Sequence, residues 1–150
     1  KAAYQNIKII EKIRAKEESA KILTMGDFND DPNNSSFKKI LKTKRKKRNV
    51  GKNDIYNPYE NLHRKGFNTL AYRDNLNLFD MILVSLPLLD TGEKDFSTYK
   101  MFKAMIFNKH FLRNKKGKYK GYPFRSFSNG GYTGGYSDHY PVYMYLIKKI

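Results

Sequence analysis

Two polar residues follow a short apolar run and have the chemistry to bind a cation or to activate water. Asp27 and Asn29 come directly after the run at 21–25, so a strand would deliver a carboxylate and an amide carbonyl to its end. Oxygen ligands of this kind suit Mg²⁺ rather than zinc. The alternative is a simple turn, because Asp and Asn after a strand are usually turn formers. We interpret Asp30 and Asp31 as turn and cap residues.

A second pair of groups lies further along the chain. Asp80 stands inside the apolar run 78–84, where an unpaired carboxylate would be costly to bury. It either faces solvent at a bulge or sheet edge, or it orients an imidazole. Asp138 supplies a second carboxylate able to bind metal, and His139 supplies an imidazole that Asp80 could orient. The alternative for His139 is a histidine that is satisfied within a loop.

The segments around these residues predict an α/β fold with polar groups gathered where strands end. Isoleucines at helical spacing predict an amphipathic helix over 2–16 that covers a sheet. Apolar runs and turn residues predict the other elements. These are a strand at 21–25, a short helix capped by Ser35 or Ser36 and ending at Leu41, irregular chain from there to Glu60, strands at 67–72 and 78–85 joined by a hairpin turn at 73–75, a loop at 128–135 and a final strand at 142–147.

Length and composition fit one domain with a packed core. The chain has 150 residues, of which 39% are hydrophobic and 15% aromatic,. The absence of Cys excludes a disulfide framework, thiolate metal sites and a Cys nucleophile. No apolar run approaches the length that a transmembrane helix needs. Because the chain opens Lys-Ala-Ala without an initiator Met, we expect a piece of a longer polypeptide, so localisation is left open.

The charge balance favours a polyanionic partner. Lys and Arg number 30 against 14 Asp and Glu, which gives a formal net charge of +16 and long-range attraction to nucleic acid or anionic lipid. Much of the excess lies at 42–48, which is equally typical of a solvated loop. Near the loop at 128–135, Arg125, Lys118 and Lys120 are candidate phosphate contacts, although a surface-charge interpretation fits them almost as well.

Three motifs, taken in order, resemble one known family. They are MGDFN at 25–29, FDMILVS at 79–85 and SDHYPV at 137–142. The resemblance is to the endonuclease/exonuclease/phosphatase superfamily, which includes deoxyribonuclease-I-like and exonuclease-III-like enzymes, Mg²⁺-dependent sphingomyelinases and inositol-polyphosphate 5-phosphatases. Residues 21–146 can be laid along the second half of such an enzyme. The stretches at 123–125 and 132–135 are similar to bacterial members described only as endonucleases.

The resemblance implies a four-layer α/β sandwich of which residues 1–150 are the C-terminal portion of a single domain, about half of it. It also implies residue roles. Asp27 would position the attacking water, Asn29 would hold the water or the scissile phosphate, Asp138 would help to bind Mg²⁺ or Mn²⁺, and His139 would contact a phosphoryl oxygen with Asp80 fixing its tautomer. Water would attack phosphorus in line while metal and imidazole neutralise the developing charge.

The implied function is a Mg²⁺-dependent hydrolase of phosphodiester or phosphoester bonds, with a nuclease favoured by the basic charge. The alternatives are a lipid or sugar-phosphate phosphoesterase, or a non-catalytic remnant that acts as a binding module. The Asn and the metal-binding Glu of the family's first half have no counterpart here. We therefore expect an N-terminal half as partner, exposed core faces in its absence, and weak metal binding and hydrolysis by this chain alone.

Overall fold

The computed structural model of the chain describes residues 1–90, 92, 94–128 and 130–150. These residues form a mixed α/β structure with several small sheets. The helices and strands are α1 (Ala2–Lys16), β1 (Leu23–Asp27), β2 (Thr43–Lys44), β3 (Ile55–Tyr56), α2 (Tyr59–Arg64), β4 (Leu70–Tyr72), β5 (Asn75–Asn77), β6 (Asp80–Ser85), β7 (Lys100–Ile106), β8 (Phe127–Ser128), β9 (Gly131–Tyr132) and β10 (Val142–Ile147). Single-turn helices lie at Ser36–Ile40, Lys47–Asn49, Leu86–Leu88 and His110–Leu112.

The largest sheet has four strands in the order β1-β6-β3-β2. In it β6 runs antiparallel to both β1 and β3, and β2 runs parallel to β3. The remaining strands form antiparallel pairs, β10 with β7, β4 with β5, and β8 with β9. The carboxylate-bearing strands β1 and β6 are therefore direct neighbours.

The core forms on both faces of β6. Met81 and Leu83 pack in one apolar cluster together with Ile10 of α1, whereas Val84 belongs to a second cluster. Burial on both faces explains why this strand is a nearly continuous apolar run rather than an alternating one. Asp80 begins the strand and is only half-buried, so its carboxylate is not enclosed by the core.

Three predicted elements are confirmed at or near their expected places. The helix over 2–16 is α1, with Ile7 and Ile10 buried. The predicted strand at 21–25 is β1, shifted two residues so that Asp27 is its last residue. The strand at 142–147 is β10.

The predicted hairpin is wrong in its partner strand. β4 pairs with Asn75–Asn77, whereas Asp80–Ser85 pairs with β1 in another sheet. The reason is the turn, because Arg73 and Asp74 have φ of 48° and 64°. Two successive left-handed residues form the tight two-residue hairpin connection whose twist matches the strands, so the returning strand begins already at residue 75.

The region predicted to be irregular up to Glu60 contains β2, β3 and the start of α2. Both strands have only two residues, too few to give a periodic signal. A short helix does follow Ser35, but neither serine caps it with a side-chain hydrogen bond. Strand β7 was not predicted. Asn129 of the predicted loop lies outside the described residues.

Several large apolar side chains on the sheets are exposed. On the edge strand β1, Met25 is 69% exposed, and on β10 Tyr145 is 52% exposed. In most proteins, edge strands are protected and large exposed apolar patches are covered by other parts of the protein or by a partner. Among the described residues, no helix has the length and hydropathy needed to cross a membrane.

Candidate functional site

The pairing of β1 with β6 brings two carboxylates together. Asp27 and Asp80 are directly opposite in the antiparallel register, which places their side chains on one face with Cβ atoms about 4.5–5.5 Å apart. Like charges in this position destabilise a sheet. A cation between the two strands would remove that repulsion.

Local backbone geometry sets the direction of the Asp27 side chain. Gly26 has φ of 148° and Asn29 has φ of 52°, conformations that favour glycine and that asparagine tolerates better than most residues. The Asn29 backbone N–H donates to Asp27 Oδ1 over 2.9 Å. The turn interpretation is thus correct for this segment, and the turn itself holds one carboxylate oxygen while it leaves Oδ2 for another partner.

His139 and Asp80 form a hydrogen-bonded pair across 59 residues of sequence, with 2.7 Å between His139 Nδ1 and Asp80 Oδ2. Their side chains are 24% and 18% exposed. Because a carboxylate only accepts, the bond requires the proton on Nδ1 and leaves Nε2 of the imidazole for another group. The geometry is that of a carboxylate which fixes the orientation and tautomer of an imidazole.

Thr69 holds both members of this pair in place, and it was not predicted because its only signal is a single hydroxyl in an apolar segment. Its Oγ1 accepts the backbone N–H groups of Phe79 and Asp80 over 3.2 and 3.3 Å. Its carbonyl accepts the backbone N–H of Tyr140 over 2.7 Å. Thr69 is fully buried; its hydroxyl fixes the start of β6, and its backbone carbonyl fixes the segment that carries His139.

Asp31 ties the loop after β1 to the start of β6. Its Oδ1 accepts the Leu78 backbone N–H over 2.7 Å, and its Oδ2 accepts the Asn77 side-chain amide over 2.9 Å. His63 lies beside it, with Nε2 3.6 Å from Asp31 Oδ1. The prediction that Asp31 lies in a turn is confirmed, because its carbonyl accepts the Asn34 backbone N–H over 2.9 Å. Its carboxylate caps no helix and instead joins the turn to the start of β6.

Asp27, Asp80 and His139 each offer one ligand atom, and these atoms lie within 4.8 Å of one another. This cluster could hold a metal ion. The two carboxylates offer hard oxygen ligands to a divalent cation, and the imidazole offers a nitrogen ligand. Asp80 Oδ1 makes no hydrogen bond within the described chain, so it remains available as a ligand while Oδ2 holds the imidazole.

The other predicted site residues are not members of this cluster. Asp138 is exposed and is not a member of the cluster, and Asn29 is also exposed. Arg125 Nη2 donates to the Ala71 carbonyl over 3.3 Å. Lys118 and Lys120 are exposed. The structure thus brings three of the predicted residues together and leaves the roles of the other five as predictions.

Tyr140, next to His139, anchors the surrounding loop. Its hydroxyl donates to the Gly121 carbonyl over 2.8 Å. Burial raises the pKa of Tyr140, and the nearby Arg113 guanidinium opposes this shift. The phenol therefore stays protonated and keeps its donor role at neutral pH.

Comparison with protein families agrees with this geometry. Residues 1–148 match the family described as Endonuclease/Exonuclease/phosphatase family. Neither a search of curated proteins nor a search of solved structures gave a significant match. The family match spans nearly the whole chain and includes all three motifs, so the chain belongs to the endonuclease/exonuclease/phosphatase family.

Proposed function

We propose that this chain carries the chemical site of a Mg²⁺-dependent hydrolase that cleaves phosphodiester bonds, with nucleic acid as its substrate. The observation that carries the proposal is the convergence of Asp27, Asp80 and His139 from two strands and a loop. Members of the family are mostly metal-dependent phosphoesterases. A carboxylate pair beside an oriented imidazole suits that chemistry.

Carboxylates are the groups that would hold the cation. Asp27 and Asp80 Oδ1 fit it best, and Asp138 joins them from the neighbouring loop, as the resemblance implies. Mg²⁺ or Mn²⁺ bound here would supply positive charge to the phosphoryl group.

The protein groups divide the remaining work. Asp27 Oδ2 orients the attacking water and accepts its proton, and Asn29 contacts the water or the scissile phosphate. His139 Nε2 contacts a non-bridging phosphoryl oxygen, while Asp80 Oδ2 keeps the proton on Nδ1. Since Thr69 fixes the start of β6 and the segment that carries His139, Asp80 and His139 are oriented before substrate binds, which lowers the cost of reaching the transition state.

The positive net charge of the chain supports nucleic acid as substrate. Some of the basic side chains, however, already bind other groups of the protein. In the basic run, Lys44 Nζ lies 3.5 Å from Asp54, Arg45 donates to Asn61, and Lys47 donates to the Met101 carbonyl. Those three cations have structural partners. The exposed Lys118 and Lys120, with Arg125, remain the proposed phosphate contacts.

We also propose that residues 1–150 are the C-terminal portion of one four-layer α/β sandwich. The edge position of β1 and the exposed Met25 and Tyr145 support this arrangement. Further strands of the same domain would cover these surfaces. A protein in which the chain is only a binding remnant would show no metal-dependent hydrolysis even with that partner segment.

The test is a hydrolysis assay on the protein expressed from its complete reading frame. DNA, RNA, sphingomyelin and a phosphoinositide are each incubated with Mg²⁺, Mn²⁺ or EDTA. We expect cleavage of DNA or RNA that requires metal, and losses of roughly 100-fold or more in kcat for Asp27→Ala and His139→Ala. His110→Ala removes an exposed histidine and serves as the matched control.

Three results would contradict the proposal. Cleavage of only the lipids would show that the substrate is not nucleic acid. Wild-type rates in either variant would show that the substituted residue does not have its assigned role. Metal-independent cleavage would exclude the proposed chemistry.

DNA affinity should also fall steeply with added salt, because phosphate contacts release counterions.

A further inference from the structure

A cavity beside the candidate site is lined by aromatic side chains that have no role in the proposed hydrolysis. Its volume is about 230 Å³, and it lies between the β4–β5 hairpin and the segment 114–133. Its walls combine aromatic rings with two guanidinium groups. The relevant residues are Tyr72, Arg73, Tyr119, Tyr122, Phe124 and Arg125.

Two connections place this cavity next to His139. Leu70 pairs with His139 in a β-bridge, and the next two residues of β4 line the cavity. Two residues of strand span about 7 Å. On the other side, Tyr140 donates to the Gly121 carbonyl, directly before Tyr122. A group in the cavity would therefore lie close to a phosphate at His139.

The walls are held in place by contacts between the two segments. The Tyr122 hydroxyl donates to Asp74 Oδ1 over 3.1 Å, and Arg125 Nη2 donates to the Ala71 carbonyl. Gly135 packs so tightly against the backbone of Phe124 and Arg125 that there is no space for a Cβ at this position. The β4–β5 hairpin and the segment 114–133 are thus held together by direct contacts, which stabilise the shape of the cavity.

The wall chemistry fits a flat aromatic ring that carries a phosphate. The rings of Tyr119 and Tyr122 have centroids 5.8 Å apart, and the Arg73 guanidinium lies 5.2 Å from the Tyr72 ring centroid. Tyrosine faces stack on any base, and arginine both stacks on planar groups and binds phosphate. The volume lies below the roughly 300–1,000 Å³ of pockets for drug-sized ligands, which leaves room for one ring system.

We propose that this cavity binds the nucleobase of a nucleotide next to the scissile phosphate. The inference rests on the proposed function and narrows its substrate to nucleic acid with an unstacked or single-stranded nucleotide at the site. Tyr119 stacks on the base, and Arg125 faces the adjoining phosphate. An inositol headgroup would gain little from the tyrosine faces, because it has no flat ring. A choline headgroup could contact them through its ammonium, but the guanidinium groups of Arg73 and Arg125 in the same walls would repel its positive charge.

The test measures binding in EDTA, so that it does not depend on hydrolysis. Thymidine 5′-monophosphate and 2-deoxyribose 5-phosphate differ only in the base, and their dissociation constants are measured by NMR titration. Inositol 1-phosphate is the third ligand. We expect the nucleotide to bind about 5- to 150-fold more tightly than the sugar phosphate, the range that one stacked base contributes.

The variants separate stacking from folding. Tyr119→Leu should remove most of the preference for the nucleotide, whereas Tyr119→Phe keeps the ring and should retain it. Tyr4→Leu is the matched control, because Tyr4 is 58% exposed on α1 and Tyr119 is 52% exposed. Arg125→Gln should weaken the nucleotide and the sugar phosphate by the same factor.

Equal binding of the nucleotide and the sugar phosphate by the wild-type protein would overturn the inference, as would tighter binding of inositol 1-phosphate. Loss of the preference in Tyr119→Phe would overturn the stacking role. If metal-dependent hydrolysis of DNA is found without base preference, the proposed function stands and the inference fails. If base preference is found but no substrate is hydrolysed, the cavity assignment stands and the proposed function fails.

Discussion

Replacing Asp80 with Asn removes the carboxylate charge that faces His139 while it keeps the size and shape of the side chain. The 2.7 Å contact between Asp80 Oδ2 and His139 Nδ1 is a charge-assisted hydrogen bond whenever the imidazole gains positive charge. Hydrogen bonds to charged groups contribute about 1.5–3 kcal/mol. If that energy is realised in the transition state, Asp80→Asn lowers kcat by about 10- to 150-fold.

The assay is steady-state cleavage of labelled DNA over a range of Mg²⁺ concentrations. An orienting role predicts a lower kcat with an unchanged Mg²⁺ concentration for half-maximal rate, whereas a ligand role through Oδ1 also raises that concentration. The control is Asp30→Asn, which removes a carboxylate in the loop after β1. The Asp30 side chain accepts a hydrogen bond from Asn34 and does not belong to the cluster. Retention of more than half of the wild-type kcat in a folded Asp80→Asn protein would refute the reasoning.

Three further substitutions test the supports of the site and of the fold. Thr69→Val leaves two buried backbone N–H groups without their acceptor, so urea unfolding should show a loss of about 1–3 kcal/mol, which Thr69→Ser should largely restore. Gly26→Ala meets no atom within 4 Å but must adopt φ of 148°, so we expect a loss of about 1–3 kcal/mol from backbone strain alone, against a smaller loss in Gly131→Ala. Burial raises the pKa of Tyr59 from its ordinary value of 10.0, so its stability contribution is complete below pH 10 and falls as pH rises beyond it, by up to about 1.4 kcal/mol per pH unit. Unfolding measured from pH 9 to 11 should show a shallower slope in Tyr59→Phe than in the wild type and in Tyr4→Phe, with the remaining slope coming from other tyrosines whose pKa is raised by burial, such as Tyr56 and Tyr140.

Local patterns were sufficient for some elements because those elements depend on local spacing. The period of the isoleucines predicted α1, and the apolar runs predicted β1 and β10. The turn at 73–75 was predicted at its place, but the returning strand was predicted too late, at 78–85 instead of Asn75–Asn77, because residues 75–77 contain only one apolar side chain. Strands β2 and β3 have two residues each and exist only through their partners.

The same holds for the candidate site, where contacts that follow from local sequence could be predicted and contacts that depend on the tertiary fold could not. A carboxylate in an apolar run needs a partner, and that need predicted contact between Asp80 and an imidazole, which the structure places at 2.7 Å. Thr69 could not be predicted, because its two hydrogen bonds to β6 span 10 and 11 residues and depend on the tertiary fold. The cavity also depends on distant segments, since Tyr122 contacts Asp74 from 48 residues away.

The central claim is that Asp27 and Asp80 hold a cation beside the oriented imidazole of His139, and the three histidines of the chain offer a direct test. Mn²⁺ is titrated into the protein while the imidazole C–H signals of His139, His63 and His110 are followed by NMR, since the paramagnetic ion broadens the nearest signals first. We predict that His139 broadens at the lowest Mn²⁺ concentration and that Asp27→Asn abolishes this selectivity. Equal broadening of all three histidines, or earlier broadening of the exposed His110, would contradict the account.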